Sequence, residues 1–300
     1  MRLSRVSRFV TIAATAALAT VMTACGQQAD LGAPSGSGPQ VAQNTQFEAG
    51  TTMAKISQAG SLRVGTKFDQ PLFGLKGLDG KPVGFDVEIA KIVAAKLGIP
   101  ADKIVYTEAP SKIREDVIAN DQVDLVAATY TINAARKERI SFAGPYYVAG
   151  QDLMVKADNT TITGPDTLKS ANARVCSVSG STPAKEIGKY VDAGNIVLFD
   201  VYSKCADALR NGQVDAVTTD NVILSGLVDS GQGAFKLVGK TFTKEPYGIG
   251  IKKGDTKFCE FINKALQDSV TDGSYTKAWD GTVGKVQGKA PALPAADACS

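Results

Sequence analysis

The chain has 300 residues, of which 33 are Lys or Arg and 30 are Asp or Glu, and it contains no histidine. The missing histidine excludes Ser-His-Asp and Cys-His nucleophile systems and histidine-ligated metal sites, which argues against catalysis. Three of the 33 basic residues lie within the first eight positions, so 30 basic and 30 acidic residues remain, and no charge excess favours nucleic acid.

The first 24 residues have the layout of a secretion signal. Arg2, Arg5 and Arg8 give a positive start, and the apolar stretch over residues 9–22 is too short to span a bilayer comfortably. Residues 23–26 (TACG) resemble the bacterial lipoprotein cleavage box, although methionine stands at position 22 where leucine is more usual. We expect a signal peptide over 1–24 and a lipid anchor on Cys25. An ordinary secreted protein with an incidental cysteine is the alternative.

Residues 26–50 are rich in Gly, Gln, Ala, Ser and Pro and show no apolar periodicity. This composition predicts a flexible tether over 25–50. The globular part of the chain should then begin near residue 51.

The first half of that part alternates short strands with helices. Residues 62–66, 104–106 and 123–127 predict strands, and residues 113–120 predict a short helix. Phe85, Ile89, Val93 and Leu97 recur every four residues on one helix face, and Gly98 is placed to end that helix. The order βαβαβ is typical of a mainly parallel, doubly wound sheet.

The same pattern then restarts. Residues 174–178, 197–199 and 216–218 predict strands, with helices beginning near 184 and spanning 206–211. Extended segments near 146–153 and 243–247 suit two crossings between lobes, and helices over 256–270 and 274–279 should pack on the first lobe. We therefore predict an α/β protein with lobe 1 formed by 51–148 plus 245–300 and lobe 2 by 149–244.

Four cysteines remain after Cys25, an even number that suits an oxidising location. Three pairings are open, and a zinc site is disfavoured because the chain has neither a CxxC spacing nor a histidine. We favour the two disulfides that would each join neighbouring segments of one region, Cys176–Cys205 and Cys259–Cys299.

Four segments resemble one known family when taken in order. They are residues 85–90 (FDVEIA), 131–136 (TINAAR), 142–147 (FAGPYY) and 180–182 (GST). The chain resembles the polar amino-acid-binding proteins of bacterial ABC importers (solute-binding protein family 3) from about residue 60 to 281. Residues 67–71 and 245–248 resemble more narrowly the glutamate-binding branch of actinobacteria. The resemblance implies the two-lobed periplasmic-binding-protein type II fold, with two doubly wound, mainly parallel sheets joined by two crossover strands.

By the same resemblance, Arg136 matches the arginine that binds an α-carboxylate, for which a planar guanidinium is well suited. Thr129 and Thr131, near a strand end, would add contacts. Asp220 matches the family's ammonium-binding aspartate. The alternatives are a solvated Arg136 within a charged run and an Asp220 that only caps a helix.

Gly180, Ser181 and Thr182 lie between a predicted strand and a predicted helix. Free N–H groups at such a place suit an anion, so we expect lobe 2 to hold the α-carboxylate as well. A simple helix cap is the alternative, and the same amides could serve both purposes.

The side-chain end of the ligand decides specificity. Lys67 stands where relatives that bind basic amino acids carry an acid, and Arg114 matches the position of a distal-carboxylate arginine. Two cations there imply an acidic ligand, because an amide would leave them unpaired. Either cation could instead be a surface charge. Phe68 or Phe73 could wall the aliphatic part of the ligand, although an aromatic near a strand is more often core.

These residues predict a monomeric, cofactor-free binding protein that delivers L-glutamate or L-aspartate to an ABC permease with its ATPase. It would be held outside the cell by its lipid anchor. The alternatives are a sensor that also accepts glutamine or asparagine and signals to a membrane partner, and a dehydratase or lyase on the same fold. No residue pair forms a convincing acid–base constellation, which disfavours the enzyme.

Overall fold

The structure is a computed structural model that describes residues 38–300, so the predicted signal peptide 1–24 and the lipidation site Cys25 lie outside it. The helices are α1 (Thr52–Ala59), α2 (Phe85–Lys96), α3 (Arg114–Ala119), α4 (Ala134–Lys137), α5 (Thr182–Glu186), α6 (Tyr202–Arg210), α7 (Asn221–Ser230), α8 (Thr256–Thr271), α9 (Ser274–Asp280) and α10 (Gly284–Gln287). The strands are β1 (Leu62–Thr66), β2 (Asp69–Gln70), β3 (Gly74–Lys76), β4 (Pro82–Val83), β5 (Ile104–Glu108), β6 (Leu125–Val126), β7 (Ser141–Ala149), β8 (Gln151–Lys156), β9 (Val175–Val178), β10 (Ile196–Phe199), β11 (Ala216–Asp220), β12 (Phe235–Leu237) and β13 (Glu245–Ile251).

Within residues 38–300, ten of the thirteen strands form two five-stranded sheets, which confirms the two-lobed α/β fold, and β2, β3 and β4 form a small antiparallel sheet. The sheet of lobe 1 has the order β5-β1-β6-β13-β7, and that of lobe 2 has the order β10-β9-β11-β8-β12. In lobe 1 only β13 runs against its neighbours, and in lobe 2 only β8 does. These two strands are the ones that enter each sheet directly after a crossing.

The crossings lie side by side. Strand β7 leaves lobe 1 and continues through Gly150 into β8, while β13 returns from lobe 2 and pairs with β7 from Glu245 opposite Ala149. A side chain at Gly150 would meet the Thr243 carbonyl at 2.9 Å, so glycine allows the two crossings to approach closely. Such paired segments are suited to act as a hinge.

Helix α2 buries the face on which apolar residues recur every four positions, as predicted. Phe85, Ile89 and Val93 are all fully buried against the lobe 1 sheet, and Gly98 adopts a φ of +79° beyond the helix end. Phe85 packs edge-on against Phe73 and Trp279, which brings α2 and α9 together in the lobe 1 core. Helices α8 and α9 pack on this lobe, as predicted.

The structure contains the disulfides Cys176–Cys205 and Cys259–Cys299, the favoured pairing. The first joins β9 to α6 within lobe 2. The second joins α8 to the C-terminal segment, whose Asp297 amide donates to the Gly144 carbonyl at 2.7 Å. Each disulfide therefore links segments of a single lobe.

The predicted tether differs from the structure over its last residues. The Ala42 amide donates to the Ala95 carbonyl at 2.8 Å, and Phe47 packs edge-on against Phe261 at 5.6 Å. Glu48 also pairs with Lys257 at 2.6 Å. These contacts fix residues 42–48 on α2 and α8, so the tether cannot extend to residue 50. A single aromatic within a polar, Gly-rich stretch gave no periodic signal for this packing.

One membrane-related observation concerns the helices. Within residues 38–300, no helix combines the length and apolar character needed to cross a bilayer.

Candidate functional site

Polar residues collect where the parallel strands of the two lobes end, facing the cleft. Lys67 directly follows β1, Thr129 and Thr131 follow β6, Gly180 follows β9, and Asp220 ends β11. Ligands of open α/β sheets bind at such strand ends. The fold thus brings together groups that are up to 153 positions apart in sequence, namely Lys67 and Asp220.

Arg136 is held firmly between the lobes. It is only 6 % exposed, so it is not a solvated surface charge. Its guanidinium donates to the Thr131 carbonyl at 2.7 Å and to the Gly180 carbonyl of lobe 2 at 3.2 Å, and its Nε lies 3.2 Å from Glu115. Burial and the nearby Arg114 lower the pKa of Arg136 to about 10, which leaves it cationic at neutral pH.

Arg114 lies beneath the same region. It is 2 % exposed, and its guanidinium donates to the Ala128 carbonyl at 2.8 Å. The guanidinium also stacks over the Tyr130 ring at 4.1 Å, while Arg136 lies 5.0 Å from the same ring. The Nε atom of Arg114 is buried and has no hydrogen-bond partner among the described residues. The Tyr130 ring therefore contacts both buried cations and stabilises both.

The Lys67 amine is buried as well, since this residue is 2 % exposed. Its Nζ donates to the Ser111 hydroxyl at 2.9 Å. Burial, and then repulsion from Arg114, lower the pKa of Lys67 to about 7. Across residues 38–300, neither Lys67 nor Arg114 forms an ion pair. The alternative that Lys67 or Arg114 is a surface charge is therefore wrong, because both side chains are buried.

Asp220 occupies the first position before α7, but its side chain makes no capping hydrogen bond. Oδ2 accepts a hydrogen bond from the Tyr247 hydroxyl at 2.6 Å, whereas Oδ1 is buried without a partner in the described part of the chain. Burial and repulsion from Glu245 raise the pKa of Asp220 to about 7. The helix-cap alternative is therefore wrong for this side chain.

The loop 180–182 approaches lobe 1 closely. Gly180 has a φ of +77°, and a side chain there would lie 2.7 Å from Lys112 Cα. The Ser181 hydroxyl accepts from the Ala184 amide at 3.0 Å, so Ser181 does cap α5. The Thr182 hydroxyl lies 3.4 Å from that of Thr131 and donates to Glu245 at 2.8 Å. The loop thus joins the two lobes.

Thr129 differs from its predicted role. It has a φ of +47°, its amide donates to Asp86 at 2.8 Å, and its hydroxyl contacts Gln70 at 3.1 Å. Both polar groups are therefore engaged within the protein. A residue in this left-handed conformation turns the chain sharply after β6.

The two aromatic residues proposed to cover the aliphatic part of the ligand, Phe68 and Phe73, differ in burial. Phe73 is fully buried and lies 6.0 Å from the Tyr247 ring in the lobe 1 core, so it is a packing residue. Phe68 is only partly buried and carries Lys76 over its ring at 5.0 Å. Phe68 is the one of this pair that remains accessible near the cleft.

Sequence reasoning missed two buried acids. Asp86 is fully buried and accepts from the Tyr146 hydroxyl at 2.5 Å, and burial raises its pKa to about 7. Glu245 is 4 % exposed and accepts from the hydroxyls of Thr182 and Thr243. Both lie within the segments that carried the family resemblance, which was the available signal. Among residues 38–300, no cluster of three His, Cys, Asp or Glu side chains could hold a metal ion.

This fold, with polar residues gathered between its two lobes, is that of a solute-binding protein. Residues 62–281 match the model of the bacterial extracellular solute-binding proteins, family 3. The chain belongs to this family.

Its relatives include two well-matched proteins. The chain is 40% identical over 227 residues to the glutamate-binding protein GluB of Corynebacterium glutamicum, covering 73% of this chain and 77% of the relative. It is 39% identical over 223 residues to the glutamine-binding protein of Geobacillus stearothermophilus, covering 74% and 84%. Both relatives are amino-acid-binding proteins.

Solved structures agree with the fold. An ancestral arginine-binding protein bound to glutamine is 36% identical, with a TM-score of 0.70, and the match covers 77% of this chain and 99% of that one. The solute receptor for L-cysteine of Neisseria gonorrhoeae is 27% identical, with a TM-score of 0.72 and coverage of 79% and 96%.

Proposed function

We propose that this protein captures an acidic amino acid, L-glutamate or L-aspartate, between its lobes and delivers it to an ABC permease. One observation carries the proposal: Lys67 and Arg114 are each 2 % exposed and have no carboxylate partner among the described residues. Burying unpaired cations is costly, and a ligand carboxylate would offset that cost for both.

The α-groups of the ligand would be bound elsewhere in the cleft. Arg136 would bind the α-carboxylate together with Thr131 and the amides of Gly180 and Thr182. The Ser181 amide already donates to the Val178 carbonyl at 3.1 Å, so Ser181 would support the loop rather than bind the carboxylate. Asp220 would accept the ammonium through Oδ1, which has no partner among the described residues. With these two groups occupied, the side-chain carboxylate would reach Lys67 and Arg114, and Phe68 would cover the methylenes. Thr129 would act indirectly, by holding the loop that carries Thr131.

An amide-binding protein that also acts as a sensor is the second candidate. The lowered pKa of Lys67, about 7, allows a neutral amine at this position, and a neutral amine suits an amide oxygen or nitrogen as readily as a carboxylate. The similarity to a glutamine-binding protein at 39% identity favours the same ligand. In this case the closed form would signal to a membrane partner instead of, or as well as, a permease.

A calorimetric titration separates the two candidates. The purified protein is unfolded in guanidinium without reductant and refolded, which removes any bound ligand and keeps the disulfides. Glutamate, aspartate, glutamine, asparagine and arginine are then titrated in turn. Tight binding of glutamate or aspartate, with at least tenfold weaker binding of the amides, supports the acidic ligand. Preference for glutamine overturns it.

We further propose that Cys25 carries the lipid anchor after removal of residues 1–24. Two acyl chains would give stable attachment at the outer face of the cytoplasmic membrane. Cell fractionation of the unmodified protein and of Cys25→Ser tests this. Release of the variant into the medium supports the anchor, and an unchanged distribution overturns it.

A further inference from the structure

Helix α6 begins without a cap of its own. Val201 occupies the position before its first residue and makes no side-chain hydrogen bond. Valine is among the poorest residues for this position, because it cannot accept from the free amides of the first turn. Those amides nevertheless have an acceptor: Asp69 Oδ2 lies 2.7 Å from the Tyr202 amide and 3.4 Å from the Ser203 amide.

Asp69 belongs to the other lobe. It is part of β2, which pairs with β3 beside the lobe 1 sheet, whereas α6 is fixed to β9 of lobe 2 by the Cys176–Cys205 disulfide. The hydrogen bonds from α6 to Asp69 therefore require the two lobes to be close together. They would be lost when the lobes separate.

A second contact of the same segment involves Pro71 and α7. A Cβ added at Gly226 would lie 2.5 Å from the Pro71 carbonyl oxygen, 3.1 Å from its carbon and 3.3 Å from its Cβ. Outside the backbone of its own helix, the three atoms nearest to that Cβ thus all belong to Pro71 of lobe 1. Gly226 lies in the middle of a helix, where alanine is the more favourable residue. Helix formation does not require glycine here, but the approach of Pro71 does.

We propose that residues 69–71 form a closure latch, in which Asp69 caps α6 and Pro71 fits against Gly226 only when the lobes close. The latch follows Lys67 by two residues, so the segment that would bind the ligand's side chain also holds lobe 2. The inference rests on the proposed function in one respect: ligand capture is taken to require closure. The latch acts as a positioning element and does not touch the ligand.

The main test is the variant Gly226→Ala. We expect ligand affinity to fall at least tenfold and the ligand-dependent decrease in radius of gyration to be lost in solution scattering. The melting temperature of the ligand-free protein should stay the same or rise, because alanine favours the helix. Gly194→Ala is the control, since a Cβ at Gly194 meets no atom within 4 Å. Unchanged affinity and closure in Gly226→Ala would overturn the latch.

Asp69 supplies an independent test. Asp69→Ala should weaken binding about fivefold to thirtyfold, whereas Asp69→Asn, which keeps an acceptor, should retain most of the affinity. Simple electrostatics predict the opposite for an anionic ligand, because both changes remove a negative charge near Lys67. Equal affinity of Asp69→Ala and the unmodified protein would contradict the latch.

The two proposals fail in different ways. Failure of the unmodified protein to bind glutamate or aspartate contradicts the acidic ligand alone. The latch is judged from the ratio of variant to unmodified affinity, measured with whichever amino acid the unmodified protein binds most tightly.

Discussion

The hydroxyl of Tyr247, on the returning crossover strand, donates a hydrogen bond to Oδ2 of Asp220, in lobe 2, at 2.6 Å. Burial and repulsion from Glu245 raise the pKa of Asp220 and this hydrogen bond lowers it, with the net result that the pKa is about 7. Asp220 is therefore only partly ionised at neutral pH, and its capacity to bind an ammonium group depends on Tyr247.

Replacing Tyr247 should make binding depend more strongly on pH. In Tyr247→Phe the pKa of Asp220 should rise above about 7, so a larger fraction is protonated at pH 7 and ligand affinity falls. Affinity should recover as the pH is raised, since ionised Asp220 is favoured there. Titrations at pH 6.5, 7.5 and 8.5 measure this. Tyr275→Phe is the control, because that hydroxyl donates to the Tyr146 carbonyl within lobe 1. A loss of affinity that is the same at every pH would contradict the account.

The proposed contact between Lys67 and a ligand carboxylate predicts that glutamate affinity changes with pH in the opposite direction to the effect of Asp220. A ligand carboxylate should raise the pKa of Lys67 from about 7, so glutamate binding takes up a proton above that pH. The affinity for glutamate should therefore fall as the pH rises above 7, by up to about tenfold per pH unit. The ratio of glutamate to glutamine affinity isolates this effect, because the α-groups of the two ligands are identical. A ratio that is constant from pH 6.5 to 9 would show that Lys67 does not face a carboxylate.

Arg136 should affect every ligand alike. Arg136→Ala removes the proposed partner of the α-carboxylate and leaves Glu115 without its ion pair, so affinity should fall by about 30-fold or more for glutamate and glutamine equally. Calorimetry with both ligands measures the loss. Arg63→Ala, which removes an exposed ion pair with Asp124, serves as the control and should bind normally. A change confined to one ligand would place Arg136 at the side-chain end instead.

The Cys259–Cys299 disulfide should contribute to stability rather than to specificity. It joins residues 40 positions apart and holds the C-terminal segment on lobe 1. The double variant Cys259→Ser/Cys299→Ser should lose about 2–5 kcal/mol of unfolding free energy, measured by guanidinium titration. The glutamate to glutamine ratio should not change. An unchanged unfolding midpoint would mean that the disulfide closes a loop already constrained by other contacts.

The sequence predicted the fold well where apolar residues recur with a clear period. Helix α2 and strand β1 were found because Phe85, Ile89 and Val93, and then Leu62 and Val64, are buried on one side. The small sheet β2-β3-β4 was missed because its strands have only two or three residues, too few to show alternation. For the same reason, the sequence did not predict that Asp69 lies in a strand beside lobe 2.

The residues of the candidate site could be proposed from the sequence, but their contacts could not. The burial of Arg136 and Asp220 could be expected from the matched motifs, whereas the engagement of the Thr129 amide by Asp86 depends on a left-handed backbone that no local pattern announced. The stacking of Arg114 on Tyr130 likewise joins residues brought together by tertiary packing. Periodicity cannot predict such contacts, because it reports only which face of an element is buried.

Selection of an acidic ligand by Lys67 can be measured by comparing glutamate with glutamine in three proteins. Glutamate and glutamine are titrated at pH 7 into the unmodified protein, into Lys67→Met, and into Lys112→Met, whose side chain is exposed beside the site. We predict that Lys67→Met weakens glutamate binding about 10- to 100-fold and leaves glutamine binding nearly unchanged, while Lys112→Met changes neither. Equal losses for both ligands, or no loss for glutamate in Lys67→Met, would contradict the claim.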